Sequence, residues 1–353
     1  MKASTNMNNI QEINTGKLKH QRIDNSNSIN NNSKKISTEF GPDSPHKNNT
    51  NFHNYLGVSK STNNNINDMN YAMNTSNTYD YNNVDPSIIK ELKRICDNCE
   101  KLDLEIINSL TLPKGLLIQI NALGMVSNSL RNANDGNTFF GFLLENDDVE
   151  NNQKVDFLIK PKEENFEQRI IGRHFRIRFD VHKLCYFIKD LGCGYGTFMK
   201  ISEETILKDS YLINIGNSYI VCTFGVDEFE IDGENILNAE KILNIKVFSE
   251  NNQNEPYFFN PSQVKKIYIG RDIGCNIIVD DTLLSRIHCT IEFKNEKGWV
   301  IYDGRNDDTD FINNKPSTNG TWLYLIEETK IKDKMIFKSN QNVYECHIKE
   351  KEL

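Results

Sequence analysis

Five polar residues stand at the ends of apolar runs in the last third of the chain. Arg271 follows Ile269-Gly270, Ser285 and Arg286 follow Leu284, and Thr318 and Asn319 precede Gly320-Thr321. These residue types can together hold a phosphate dianion. Its three oxygens only accept hydrogen bonds, and a guanidinium fork joined by hydroxyl and backbone donors holds them best. Arg271, placed just after a glycine that lets the chain turn, can supply the fork. Ser285 brings a hydroxyl from the next loop, Arg286 a second positive charge, and Thr318 a further hydroxyl. Asn319 carries both an amide donor and an acceptor, which suits a peptide backbone better than a phosphate. Gly270 and Gly320 read as backbone devices that permit tight turns. His288 reads as a hydrogen bonder between loop and core, neither acid nor base.

Loops of this kind need strands to hold them. From residue 242 onward apolar residues alternate with a period of two in short runs: Leu243–Phe248, Lys266–Ile269, Asn276–Val279, Cys289–Phe293, Trp299–Tyr302, Thr321–Leu325, Met335–Lys338 and Val343–Ile348. Such a series predicts a β-sandwich, whose clustered end loops make a binding face. A similar series runs from 115 to 225: Leu116–Ile120, Thr138–Leu144, Val155–Ile159, Phe175–Phe179, Leu184–Lys189, Gly196–Ile201, Tyr211–Ile215 and Tyr219–Phe224. The mostly acidic stretch 226–241 separates the two as a linker.

The marks Gly270-Arg271, Ser285-Arg286-Ile287-His288 and Asn319-Gly320, in that order and joined by strands of suitable length, resemble the forkhead-associated (FHA) domain. The resemblance covers about 110 residues, 242–353. It implies a two-sheet sandwich that binds phosphothreonine peptides, with Arg271 and Ser285 on the phosphate, Asn319 on the peptide backbone and His288 bracing the loop. The stretch from Gly304 to Pro316 is longer than most FHA domains place there. Its Asp307, Asp308 and Asp310 are expected beside the phosphate loops, favouring basic residues around the phosphothreonine.

The first series resembles the same family more distantly. Arg173-His174-Phe175-Arg176-Ile177 and the run Tyr186–Phe198 match the stretch from the motif histidine to the NGT. The gripping positions are replaced: Phe142 stands for the arginine, Ile171 for the serine, and Cys193, Gly194 and Tyr195 for Ser317, Thr318 and Asn319. Residues 113–225 are therefore expected to be a degenerate FHA-like sandwich used for packing or protein contacts. Arg169, Arg173, Arg176 and Arg178 leave an alternative anion grip open, but the alternation of Arg176 and Arg178 with Ile177 and Phe179 leads to the expectation of a solvated strand face. Phosphopeptide binding is expected from residues 242–353 alone.

Ahead of these series, residues 1–86 hold 22 asparagines and nearly balanced charge. They cannot bury enough surface to offset the entropy of ordering, so a disordered Asn-rich tail is expected. Asp85-Pro86 has the form of a helix start, and Ile88, Leu92, Ile95, Cys99, Leu102, Ile106 and Leu110 follow at spacings of three and four. That pattern predicts an amphipathic helix over 87–112, docked on the next domain or self-associating. Cys96 and Cys99 lie within it without a second close ligand pair, so no metal site is expected.

The expected architecture is thus all-β: two FHA-type β-sandwiches in tandem, at 113–225 and 242–353, preceded by one helix and the tail. No run approaches 18 apolar residues, so no membrane span is expected. The formal net charge of −8 argues against a nucleic-acid-coating role. Eight scattered cysteines and no apolar leader fit an intracellular protein, nuclear or cytoplasmic. No kinase loops, phosphate-binding loop, nucleophile elbow or HExxH occur, so neither catalysis nor a cofactor is expected. The expected function is a phosphothreonine-peptide-binding adaptor whose partners are threonine-phosphorylated proteins. The alternative is a scaffold whose FHA-like domains make phospho-independent contacts. The oligomeric state is left open.

Overall fold

The computed structural model describes residues 83–144, 154–162, 170–225, 242–249, 255–307 and 315–349. All belong to one compact unit, Pro45–Leu353. The expected tail up to residue 82, and the linker 226–241, lie outside the described residues. No helix among the described residues is long and apolar enough to cross a membrane.

Helix α1 spans Pro86–Ile95, capped by Asp85, whose Oδ1 accepts the Ser87 amide at 2.8 Å. It is shorter than the helix expected over 87–112. Cys96–Asn98 form a 3-10 turn, and Lys101–Asn108 is a strand, β1. Leu102 and Ile106 are four apart, which fits one helical turn and equally two steps along a strand face. Long-range partners decide between them. As a strand, this segment pairs with a neighbour on each side, Leu102 facing both Ile120 and Ile348.

The first series continues as β2 (Leu117–Asn121), β3 (Gly124–Met125), β4 (Asn137–Phe142), β5 (Phe157–Leu158), β6 (Gly172–Asp180) and β7 (Cys185–Asp190). It ends with β8 (Thr197–Lys200), β9 (Thr205–Ile206), β10 (Tyr211–Ile215) and β11 (Ser218–Gly225). The second begins with β12 (Ile242–Phe248), β13 (Tyr257–Phe259), β14 (Lys266–Gly270), β15 (Ile277–Ile278) and β16 (Cys289–Lys294). It continues with β17 (Gly298–Asp303), β18 (Thr321–Tyr324), β19 (Thr329–Lys330), β20 (Ile336–Ser339) and β21 (Asn342–Lys349). The fold is all-β, as expected.

The pairing of these strands does not follow chain order. One eleven-stranded sheet runs β13-β12-β11-β10-β18-β8-β20-β21-β1-β2-β3, and two five-stranded sheets run β15-β14-β16-β17-β9 and β19-β7-β6-β4-β5. Hairpin β10–β11 thus lies beside β12, and hairpin β20–β21 beside β1. The short strands before each hairpin cross over as well: β9 pairs with β17, and β19 with β7.

The cores record the same exchange. One contains Leu102, Ile120, Phe140 and Phe175 together with Leu325, Ile331, Phe337 and Tyr344. The other contains Leu243, Ile269, Ile291 and Trp299 together with Ile201, Leu207, Ile213 and Cys222. Residues 201–225 therefore complete the sandwich built by the second series, and 325–349 complete the one built by the first. The consecutive division into 113–225 and 242–353 differs from this pairing. The two halves meet where β8 pairs antiparallel with β18, in a register centred on Met199 and Leu323.

Chain adjacency accounts for the exchange. Strand β12 is the next described strand after β11, and the two pair directly, Gly225 opposite Ile242, so their pairing closes only the 16 residues between them. With β11 occupied, β1 takes β21, which has the same alternation of buried positions and a cysteine, Cys346, where β11 has Cys222. The hairpin tips tell the two places apart. Gly216 lies against Asp281 and Leu284, where a Cβ would come within 2.9 Å of each. In the other tip Asn340 accepts the Tyr195 amide at 2.7 Å and donates to His174 Nδ1 at 2.7 Å. An asparagine side chain is thus hydrogen-bonded in one place and would be crowded in the other.

Candidate functional site

Arg271 stands at the end of β14, and the loop before β16 passes beside it. A Cβ on Gly270 would lie 2.2 Å from the Arg286 carbonyl oxygen, so only glycine allows this approach. Two backbone bonds fix the loops together, Arg271 N to Ser285 O at 3.3 Å and Asp272 N to Arg286 O at 3.1 Å. The loop before β18 joins them. The Thr318 amide donates to Ser285 Oγ at 2.9 Å, and Ser285 Oγ lies 3.3 Å from Thr318 Oγ1. Asn319 Nδ2 donates to the Leu283 carbonyl at 2.7 Å. All five residues expected to grip a ligand therefore lie on three adjoining loops.

Arg271, Arg286, Thr318 and Asn319 are exposed and Ser285 is half-buried. Neither guanidinium pairs with a carboxylate among the described residues. Two positive charges on loops that also carry the Ser285 and Thr318 hydroxyls are suited to a doubly charged oxyanion.

His288 lies beneath the loops, fully buried. Its Nδ1 accepts the Ser285 amide at 3.2 Å, so Nε2 carries the proton and donates to the Gly320 carbonyl at 3.0 Å. Burial holds the ring below its ordinary pKa, and the neutral form makes both bonds. These two bonds tie the Ser285 loop to Gly320. Gly320 itself has φ +77, a conformation that favours glycine.

Two supporting carboxylates were not singled out from the sequence. Asp303, at the end of β17, accepts Ser317 Oγ at 2.6 Å and Thr321 Oγ1 at 2.7 Å, holding both sides of Thr318–Gly320. Asp281 is buried under the Ser285 loop. The available signal was an aspartate just inside each loop, which also describes an ordinary turn. Of the acidic residues expected near the phosphate loops, Asp308 and Asp310 lie outside the described residues, and Asp307 pairs with Arg305 at 3.1 Å.

The first sandwich keeps the frame of this site. A Cβ on Gly141 would lie 2.1 Å from the Gly172 carbonyl, as Gly270 does against Arg286. His174 is buried and its Nε2 bonds to the Ile170 carbonyl at 2.6 Å. The grip is absent: Phe142 is buried where Arg271 is exposed. The arginines of β6 are not a solvated face. Arg176 is buried and pairs with Glu328 at 2.5 Å, while Arg178 pairs with Glu328 at 2.8 Å and with Asp180 at 3.2 Å. Arg173 stacks 3.7 Å from the centre of the Phe139 ring. Glu328 comes from the exchanged segment, so Arg176 and Arg178 are engaged in holding that segment on the first sandwich. Glu204 makes the matching contact in the other sandwich, with Lys294 and Lys297.

Residues 267–342 match the family model of the FHA domain. The chain carries an FHA domain. No curated protein matches the chain. Among solved structures it is similar to FHA-1 of Mycobacterium tuberculosis Rv1747, at 20% identity over 27% of this chain and 88% of that one, with a TM-score of 0.15. It is also similar to the FHA domain of the CT664 protein from Chlamydia trachomatis, at 17% identity over 29% and 92%, with a TM-score of 0.16. A third similar structure comes from a study of phosphothreonine-dependent FHA domain interactions, at 17% identity over 28% and 88%, with a TM-score of 0.14. The matched stretch contains all five residues expected to grip a ligand, whereas β10 and β11, which complete the same sheet, lie outside that stretch.

Proposed function

We propose that the protein binds threonine-phosphorylated proteins through its FHA domain and serves as an adaptor without catalysing a reaction. The observation that carries this is that Arg271 and Arg286, exposed and without a carboxylate partner among the described residues, stand on loops bonded to those that present Ser285 and Thr318. Arg271 grips the phosphate, Ser285 and Thr318 add hydroxyl donors, and Arg286 adds charge. Asn319, presented by its bond to Leu283, contacts the peptide backbone beside the phosphothreonine. Charge-assisted hydrogen bonds contribute about 1.5–3 kcal/mol each, so three or four suffice for micromolar binding after the cost of association.

The first sandwich is read as a degenerate FHA-like domain that has exchanged phosphate binding for packing against the second. It keeps the glycine, the buried histidine and the turn but lacks the arginine and the serine. Pulldown on immobilised phosphothreonine peptides tests the reading. Wild type is retained and Arg271→Ala is not. Equal retention of both, or retention on unphosphorylated peptides, contradicts it and supports a phospho-independent scaffold.

A further inference from the structure

Gly216, Asn217 and Ser218 form the tip of the β10–β11 hairpin, which the first series contributes, yet they touch the loop that carries Ser285. The Asn217 amide donates to Asp281 Oδ2 at 2.8 Å, and the Ser218 hydroxyl donates to the same oxygen at 2.9 Å. Asp281 Oδ1 accepts the Leu283 amide at 2.9 Å. The Leu283 carbonyl in turn accepts Asn319 Nδ2. A continuous chain of hydrogen bonds therefore runs from the exchanged hairpin to a residue of the peptide grip. Packing follows the same route: Gly216, at φ +56, fits against Leu283 and Leu284, the residues immediately before Ser285. Ser218 and Asp281 are buried, so water does not readily replace a donor lost there.

We propose that Ser218 and Gly216 are positioning residues of the phosphopeptide site: through Asp281 they set the loop on which Ser285 and Asn319 depend. The site is then completed across the strand exchange, by a segment that chain order assigns to the other sandwich. This rests on the phosphothreonine reading above. The opposite tip supplies a matched control, because Asn340 docks on His174 and Tyr195 and reaches no grip residue.

The test measures phosphothreonine-peptide affinity by fluorescence anisotropy on the full chain, with thermal unfolding recorded in parallel. Arg271→Ala abolishes binding. Ser218→Ala weakens it about three- to ten-fold, the span expected for one buried hydrogen bond, and Gly216→Ala weakens it as well. Ser218→Thr, which keeps the hydroxyl, restores most of the loss, and Asn340→Ala binds like wild type. In Ser218→Ala, amide hydrogen exchange at Leu283 and Ser285 quickens. If Arg271→Ala abolishes binding while Ser218→Ala and Gly216→Ala bind like wild type, the positioning role is overturned and the phosphothreonine reading stands. If Asn340→Ala weakens binding as much as Ser218→Ala, the effect is general destabilisation and the role is likewise overturned. If wild type and Arg271→Ala behave alike, the phosphothreonine reading fails and takes this inference with it.

Discussion

Lys338 Nζ donates to Asn214 Oδ1 at 2.6 Å, and the two residues hold equivalent places in the two exchanged hairpins. The contact lies where β10 and β20 flank the central pair β18 and β8. The lysine also lies over the rings of Trp322 and Phe198, at 4.6 and 5.6 Å from their centres. The joint between the halves is thus closed on one face by an ammonium group among aromatic rings.

Burial lowers the Lys338 pKa to about 8, against about 10.4 in an unfolded chain. Between these values the unfolded state binds more protons, so this residue makes stability rise with pH. Comparing wild type with Lys338→Met in urea, the wild type is expected to gain on the variant from pH 8 to pH 10. A constant difference would show that the joint tolerates the charge.

Leu104 faces Cys346 in the observed pairing of β1 with β21. In a consecutive arrangement β1 would pair with β11 and Leu104 would face Cys222, the equivalent residue. Leu104→Cys under mild oxidation is therefore expected to give a bond from 104 to 346, identified by peptide mass mapping. A bond from 104 to 222 would contradict the exchange. The substitution itself costs some stability, because Leu104 is fully buried.

At the grip, Ser285→Ala removes the acceptor of the Thr318 amide as well as a hydroxyl donor. The expected loss in phosphopeptide binding is about 1.5–3 kcal/mol, or roughly ten- to 150-fold. Phosphothreonine is expected to bind more tightly than phosphoserine by about 0.8 kcal/mol from burial of its methyl group. Calorimetry with paired peptides measures both, and equal affinity for phosphoserine would place the methyl in water.

His288 and His174 are both held below the ordinary histidine pKa by burial. Below about pH 6.5 the unfolded chain takes up protons that these folded rings refuse. Their contribution is complete above that pH and declines as the pH falls toward their folded values. Wild type is expected to lose more urea resistance from pH 7 to pH 5 than His288→Gln, which starts less stable but carries no titrating ring. Equal losses would show that His288 is not held neutral by the fold.

Much of this molecule was legible in the chain itself. Period-two alternation placed most of the longer strands, with Tyr211–Ile215 matching to the residue, because side-chain direction along a strand is a local property. Arg271, Ser285, Thr318 and Asn319 stand out as candidates from residue chemistry and order, since a loop's capacity to hold phosphate depends on which groups it carries. Strand partnership could not be read in the same way. Hairpins 211–225 and 336–349 present the same alternation to a neighbour, so the pattern fits either sandwich. Tertiary structure decided the choice through contacts far apart in sequence: Gly216 against Asp281, Asn340 against His174, and β11 closing directly on β12. The same long-range pairing made Lys101–Asn108 a strand instead of the end of a helix, and turned Arg176 from solvent toward Glu328.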